Sequence, residues 1–292
     1  MDVDSGDPVI DVRSEPWQFW TSGDVLAWSP DSSVVLVSAP GGGISIRDSY
    51  TSSGYTLALP KSGQQEGAVT GAVFSRDGKR VIAAEAEGSI YVYEFTSGKL
   101  EHTWQSPVRA RNLTAIALSP QGHQLAVAGV SASDANPMGG FIAVLDVTSG
   151  ETLCVIDDFE HVTNQLSFSP DGSLLLLAGI NNPPHLIDAF TGRPLLEFRH
   201  QCPPPSEPYG SSLFDAVFLD SRSVAVACSG GVGQVCDASY GDCRVLFDLQ
   251  LLTVDGVAAH PDGRHAAFLE NRSSVTLWDA QTAEPWRSYR LP

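Results

Sequence analysis

A pattern of four short apolar runs, each bounded by turn residues, recurs along this chain. In one unit the runs lie within residues 69–78, 80–84, 88–94 and 100–104. They are four to seven residues long, and several alternate apolar with polar side chains. Such runs are typical of short antiparallel strands joined by hairpins. The Asp77-Gly78 pair indicates a tight turn between the first two runs, because glycine readily takes the positive φ that such turns require.

Two markers show that the unit occurs six times. The turn between the first and second runs reads Ser-Pro-Asp-Gly or a close variant, at residues 29–32, 75–78, 119–122, 169–172, 219–221 and 260–263. The third run ends each time on an acidic residue, and these residues lie 42 to 52 positions apart: Asp48, Glu94, Asp146, Asp188, Asp237 and Asp279. The repetition predicts an all-β fold made of six similar four-stranded antiparallel sheets, and such repeats are typical of the blades of a β-propeller.

The units resemble WD40 repeats over about residues 24 to 291. The literal Trp-Asp pair occurs once, at Trp278-Asp279, and the Gly-His pair that opens a full WD40 unit is missing. The resemblance implies a degenerate WD40-like propeller that acts as a non-catalytic protein-interaction scaffold or adaptor. The missing Gly-His pair puts any close functional analogue in doubt.

The repeat also predicts how the chain is organised. Residues 15–20 parallel residues 284–289, which form the fourth run of the last unit. We therefore expect a single domain over residues 1–292, in which 1–23 supply an N-terminal half-blade or closing strands and 24–292 supply six repeats. The ring then has six or seven positions, since a propeller must close to avoid exposed strand edges. A half-blade is also consistent with a fragment of a larger multidomain protein.

Aromatic side chains recur in the first run of several units, close to the turn. Trp28, Phe74, Phe168 and Phe218 share this position, and we expect all four to be buried between blades.

The formal net charge of −17 narrows the classes of partner. The chain has 34 acidic and 17 basic side chains. Because nucleic-acid affinity comes largely from basic residues, we expect no nucleic-acid partner, and the same charge disfavours anionic membranes. It is consistent with a protein or peptide partner that is basic. We expect a monomer or a subunit of a larger complex.

Three features indicate a cytoplasmic or nuclear protein. The first residues are acidic, unlike those of a secretory signal, and no apolar run approaches the roughly 20 residues of a membrane span. The five cysteines are odd in number and include no Cys-x-x-Cys pair.

Motifs that carry chemistry are absent from the sequence. None of the seven histidines has HExxH or related metal-ligand spacing, and neither a Gly-x-Ser-x-Gly elbow nor a phosphate-binding loop occurs. His260 and His265 flank one turn, where we expect both to face solvent. We therefore predict no catalytic residues, no cofactor, no metal and no enzymatic activity. The alternative is a propeller enzyme or cofactor-binding domain, which would need ionisable side chains at the mouth of the central channel.

Three unusual loops supply the candidate partner site. They are the basic stretch around Arg109 and Arg111, the insert at residues 130–140, which contains Met138, and the proline-rich segment at 201–212, which contains Tyr209. In a propeller these connections belong to neighbouring blades and share one face. Because long loops with Arg, Tyr and Met offer anchors for recognition, we expect Arg109, Arg111, Met138 and Tyr209 to bind the partner.

Overall fold

The protein is an all-β propeller of six four-stranded antiparallel blades arranged in a ring. The computed structural model describes residues 25–39, 42–51, 53–60, 68–132, 139–159, 162–179, 182–202, 214–249, 253–260, 262–271 and 273–290. The fold class predicted from the repeats is confirmed. The expected half-blade at residues 1–23 lies outside the described residues.

Each blade is a meander of four consecutive strands. Blades 1 to 3 are formed by β1 (Val25–Trp28), β2 (Val34–Ser38), β3 (Ile44–Asp48), β4 (Gly54–Leu57), β5 (Val69–Phe74), β6 (Arg80–Glu85), β7 (Ser89–Glu94), β8 (Leu100–Gln105), β9 (Ala110–Leu118), β10 (Gln124–Ser131), β11 (Gly140–Asp146) and β12 (Thr152–Phe159). Blades 4 to 6 are formed by β13 (Gln165–Phe168), β14 (Leu174–Gly179), β15 (Asn182–Asp188), β16 (Pro194–Glu197), β17 (Phe214–Phe218), β18 (Ser223–Cys228), β19 (Val232–Asp237), β20 (Cys243–Asp248), β21 (Val254–Ala259), β22 (His265–Glu270), β23 (Ser274–Asp279) and β24 (Pro285–Arg290).

The first strand of each blade lies nearest the central channel. The first strands of successive blades contact one another from β1 to β5 and onward to β21. The fourth strands form the outer rim, and in β8 and β24 all side chains except one are exposed. The two middle strands are buried, because both of their faces pack against neighbouring blades.

Apolar clusters fill the seams between successive blades. Among the described residues these clusters join blades 1 and 2, 2 and 3, 3 and 4, 4 and 5, and 5 and 6. Phe74, Phe168 and Phe218 each extend from a first strand into the seam with the preceding blade, where each is 6% exposed. Burial of such a side chain contributes about 1.5–3 kcal/mol.

Trp28 departs from the expectation of burial. It occupies the position of these phenylalanines in blade 1, yet it is 45% exposed. The reason lies in its neighbour: the described residues form no cluster between blades 6 and 1 comparable to the other five. The prediction that all four aromatic side chains are buried is therefore wrong for Trp28.

The repeated acidic residues stabilise turns. In the first turn of a blade, the Ser29 hydroxyl donates to Asp31 Oδ1 over 2.6 Å, and the amide of Val34 donates to Ser29 Oγ over 2.9 Å. Hydrogen bonds from the hydroxyls of Ser29 and Ser33 lower the pKa of Asp31 to about 2. Blades 2 and 4 repeat the serine–aspartate bond.

The acidic residue at the end of each third strand has a similar role. Asp48, for example, accepts the amides of Tyr50 and Thr51 over 2.9 and 2.7 Å. These bonds satisfy backbone donors in the next turn, and they lower the pKa of Asp48. The repeated carboxylates therefore have a structural role.

Two disulfides that the cysteine spacing did not indicate involve blade 5. Cys236 and Cys243 are register partners across β19 and β20, and Cys202 pairs with Cys228 at the end of β18. Cys154 is not bonded to another cysteine.

No helix long and apolar enough to cross a membrane occurs in the described part of the chain.

We expect Gly88→Val to destabilise the protein more than Gly98→Ser. Gly88 has a φ of +102°, outside the left-handed region near +57°, whereas Gly98 has a φ of +66° within it. A β-branched side chain at Gly88 costs about 1–3 kcal/mol, whereas a serine at Gly98 has the smaller cost of the left-handed region and requires a shift of the flexible Leu57 side chain. Urea denaturation of both variants measures the difference, and equal free energies of unfolding would contradict this account.

Candidate binding face around the channel

The two faces of the ring carry different connections. Because the strands alternate in direction, loops between second and third strands share one face with those between successive blades; we call this the long-loop face. The turns between first and second strands and between third and fourth strands share the other, which we call the short-turn face. All three loops singled out from the sequence belong to the long-loop face.

A cavity of about 700 Å³ opens on the long-loop face, beside the central channel. Its wall is built mainly from the first strands of blades 1 to 4, and its polar side chains are hydroxyls and amides: Ser38, Thr70, Asn112, Thr114, Asn164 and Gln165. None of the described lining residues has an ionisable side chain. The volume lies within the range of sites that accept a small molecule or a peptide side chain.

Blade 3 extends farther on this face than the neighbouring blades do. Its first two strands have nine and eight residues, and they remain paired as far as Ser131 and Ala110. The amide of Ala132 then donates to the Arg109 carbonyl over 2.8 Å. The loop before β9 and the base of the insert are therefore joined, as their shared face predicted.

Arg109 and Arg111 are both exposed at this extension. Neither forms an ion pair with another residue that the structure describes. Arg111 directly precedes Asn112, which lines the cavity, but neither arginine is itself among the lining residues.

The other two predicted site residues, Met138 and Tyr209, lie outside the described residues. The start of the segment that contains Tyr209 is anchored to blade 5. The Gln201 amide donates to Gln234 Oε1 over 2.7 Å, and Gln201 Nε2 donates to the Cys243 carbonyl over 2.9 Å.

Exposed aromatic side chains on the short-turn face were missed by sequence reasoning. Tyr50, Phe190 and Tyr240 are 80%, 61% and 72% exposed, and each follows the acidic residue of a third-to-fourth-strand turn by two or three positions. That regular placement is a signal in the sequence that could have identified them. They offer the short-turn face anchors that its turn lengths alone did not suggest.

His260 and His265 do not simply face solvent. The His265 imidazole stacks on the Trp286 indole at 4.3 Å between ring centroids, and its side chain is only 14% exposed. The His260 ring meets the same indole edge-on at 5.9 Å. The expectation of two solvent-facing histidines is wrong, because the outer strand β24 brings Trp286 over the turn.

Asp215 is a carboxylate placed on a first strand of the ring. Its Oδ2 accepts the Val257 amide of blade 6 over 2.9 Å, while its Oδ1 is enclosed and has no hydrogen-bond partner. Burial raises the pKa of Asp215 above the usual value, and the bond from Val257 offsets this only in part. One ionisable group is thus enclosed between blades 5 and 6.

No protein-family model matches this chain, and a search of curated proteins found no match. The geometry of the six blades establishes the propeller fold.

We expect Asp215→Asn to stabilise the protein at pH 7. The unfolded chain ionises this carboxyl freely, whereas burial disfavours the charge in the folded chain, so the native aspartate lowers stability from about pH 3.8 upward, and the loss grows until the pH passes the raised pKa. Asparagine can still accept the Val257 amide without a charge. Because protonation removes the penalty in the native protein, the gain in melting temperature should shrink between pH 7 and pH 4.

Asp171→Asn is the matched control with the opposite sign. Hydrogen bonds from Ser169 and Ser173 lower the pKa of Asp171, so its ionised form stabilises the fold above pH 3.8, and that contribution is lost as the pH falls through the lowered pKa. The asparagine variant should be less stable than the native protein at pH 7. Thermal melts that rank the two variants in the reverse order would exclude this assignment of the two carboxylates.

Proposed function

We propose that this chain is a WD40-like interaction scaffold that binds a protein or peptide partner on its long-loop face and catalyses no reaction. The observation that carries the proposal is the position of Arg109 and Arg111. Both are exposed on the extended blade 3, beside a cavity large enough to receive part of a partner. Propellers commonly serve as interaction scaffolds.

The chemistry of the cavity supports binding over catalysis. Hydroxyl and amide groups can orient a ligand through hydrogen bonds, but general acid–base or nucleophilic chemistry at neutral pH needs ionisable or activated groups. The described wall supplies only the first kind. Asp215, the enclosed carboxylate, is bonded across a seam between blades and is not among the lining residues of the cavity.

The two arginines define the chemistry of the contact. A guanidinium binds carboxylates in a bidentate geometry and packs on aromatic rings. The segment that lies on blade 3 would thus present carboxylates or aromatic rings. A partner that is basic elsewhere would still be attracted over long range by the net charge of −17, mainly at low salt.

The Arg109→Ala, Arg111→Ala double variant should weaken capture of the main partner by about tenfold, or about 1.4 kcal/mol. Its fold should be intact, because exposed loop changes shift stability by less than about 0.5 kcal/mol each. Affinity capture from a cell extract, quantified by mass spectrometry against wild type, measures the effect.

Two further variants make the comparison specific to a face. Arg193→Ala with Arg222→Ala removes the same charge from exposed arginines in turns on the short-turn face, and it should leave capture unchanged. Phe190→Ser with Tyr240→Ser removes the aromatic anchors of that face. Loss of capture in the aromatic variant, with full capture in the Arg109/Arg111 variant, would place the partner on the opposite face and refute the proposal.

A further inference from the structure

The first turn of blade 6 differs from its counterparts in chemistry. In blades 1, 2 and 4, a serine hydroxyl donates to the turn aspartate over 2.6 to 2.7 Å. Blade 6 has His260 in place of that serine and His265 five residues later, where blade 4 has Leu174. Two imidazoles therefore converge on the carboxylate of Asp262, whereas blades 1, 2 and 4 form the same turn without a histidine at either position.

The ring nitrogens approach both oxygens of that carboxylate. His260 Nδ1 lies 3.1 Å from Asp262 Oδ1, and His265 Nδ1 lies 2.6 Å from Asp262 Oδ2. One nitrogen from each ring and one carboxylate oxygen all lie within 4.8 Å of one another. In a tetrahedral zinc site with bonds of about 2.0–2.2 Å, neighbouring ligand atoms are roughly 3.3 Å apart. Zinc binding would therefore require the three side chains to rotate until all three ligand atoms reach that spacing.

We propose that His260, Asp262 and His265 bind one divalent transition-metal ion, with zinc as the representative ion. Two imidazole nitrogens and a carboxylate oxygen form a donor set that suits zinc, and a fourth position remains for water. Each coordinating Nδ1 would carry no proton, so the proton of that imidazole would reside on Nε2.

The surroundings support a cation at this position. His265 Nε2 lies 4.0 Å from Asp279 Oδ2, beyond hydrogen-bond distance, so a second carboxylate adds negative charge on the far side of the ring. Arg264 is neutralised by Asp279, to which its Nε donates over 2.8 Å. The charge of Asp262 is then the net charge of the group, and it favours a cation.

Trp286 covers one side of the cluster. Its ring contacts both imidazoles, and this limits the rotations that they can make. Ligands with few alternative rotamers lose less entropy when they bind a metal, and the indole also supplies a spectroscopic probe at the site.

The test is a zinc titration of the full chain by isothermal calorimetry, after removal of metals with a chelator. Wild type should bind one equivalent of zinc at this site. His260→Ser with His265→Leu gives blade 6 the residues that blade 4 has at these positions, so the turn should still form. This variant should lose the site, with affinity at least tenfold weaker. His123→Ser removes an exposed histidine from the same turn of blade 3 and should bind zinc as wild type does.

A second measurement does not depend on how the histidine variants fold. Cobalt(II) bound at the site should quench the fluorescence of Trp286 at one equivalent, and Trp286→Phe should lose that quenching while it still binds cobalt by calorimetry. Identical zinc isotherms for wild type and the double histidine variant would refute the proposal. So would wild type that binds no zinc, or wild-type fluorescence that cobalt leaves unchanged.

Discussion

Each blade of this protein is a sheet with two apolar faces, and exposing the side chains of either face to water is unfavourable. In blade 2, Val81 and Ala83 pack against blade 1, while Ile82 and Ala84, the residues between and after them, pack against blade 3. The alternation follows from the two-residue period of a strand. A blade is therefore stable only between neighbours, and this requirement arranges the blades around a channel. The faces that hold the loops, the cavity and the histidine cluster are consequences of that arrangement.

The seams also explain which features a single sequence could predict. Repeated turns and acidic residues predicted the strands and the blades, because these depend on residues close in the chain. The burial of Phe74 was predicted, but the exposure of Trp28 was not, because the difference depends on the blade beyond the sheet. The environment of His265 was mispredicted for the same reason: its neighbour Trp286 is 21 positions away and meets it only through the register of β22, β23 and β24.

In the candidate partner site, too, some features could be predicted from the sequence and others depend on contacts between blades. The shared face of the connections follows from strand direction, so the sequence predicted that Arg109 and the insert belong together. The cavity could not be predicted, since its wall combines side chains from four blades, as with Thr70 and Gln165. The aromatic residues of the short-turn face, such as Tyr240, follow repeated acidic residues that are visible in the sequence. The partner-site prediction did not include them, because it considered only long loops.

Many of the acidic residues that give the chain its negative charge have a structural role in the turns. Carboxylates such as Asp31 and Asp188 accept hydrogen bonds from backbone amides within the blade, and several more occupy equivalent turns. Part of the net charge of −17 is thus a consequence of how the hairpins are built, and it lies on the short-turn face. Net charge is then weaker evidence for a basic partner than it was in the sequence alone.

The inner edges of the first strands face the channel, where no further strand can pair with them. Unpaired backbone groups there must be satisfied by another blade or by solvent. Thr114 Oγ1 donates to the Thr163 carbonyl over 2.5 Å, which links blades 3 and 4 through a neutral hydroxyl. Between blades 5 and 6 the same kind of link uses Asp215 and the Val257 amide. A carboxylate is the more costly choice at neutral pH, since its Oδ1 is enclosed without a partner. The links between first strands thus use a neutral hydroxyl beside the cavity and a carboxyl group away from it.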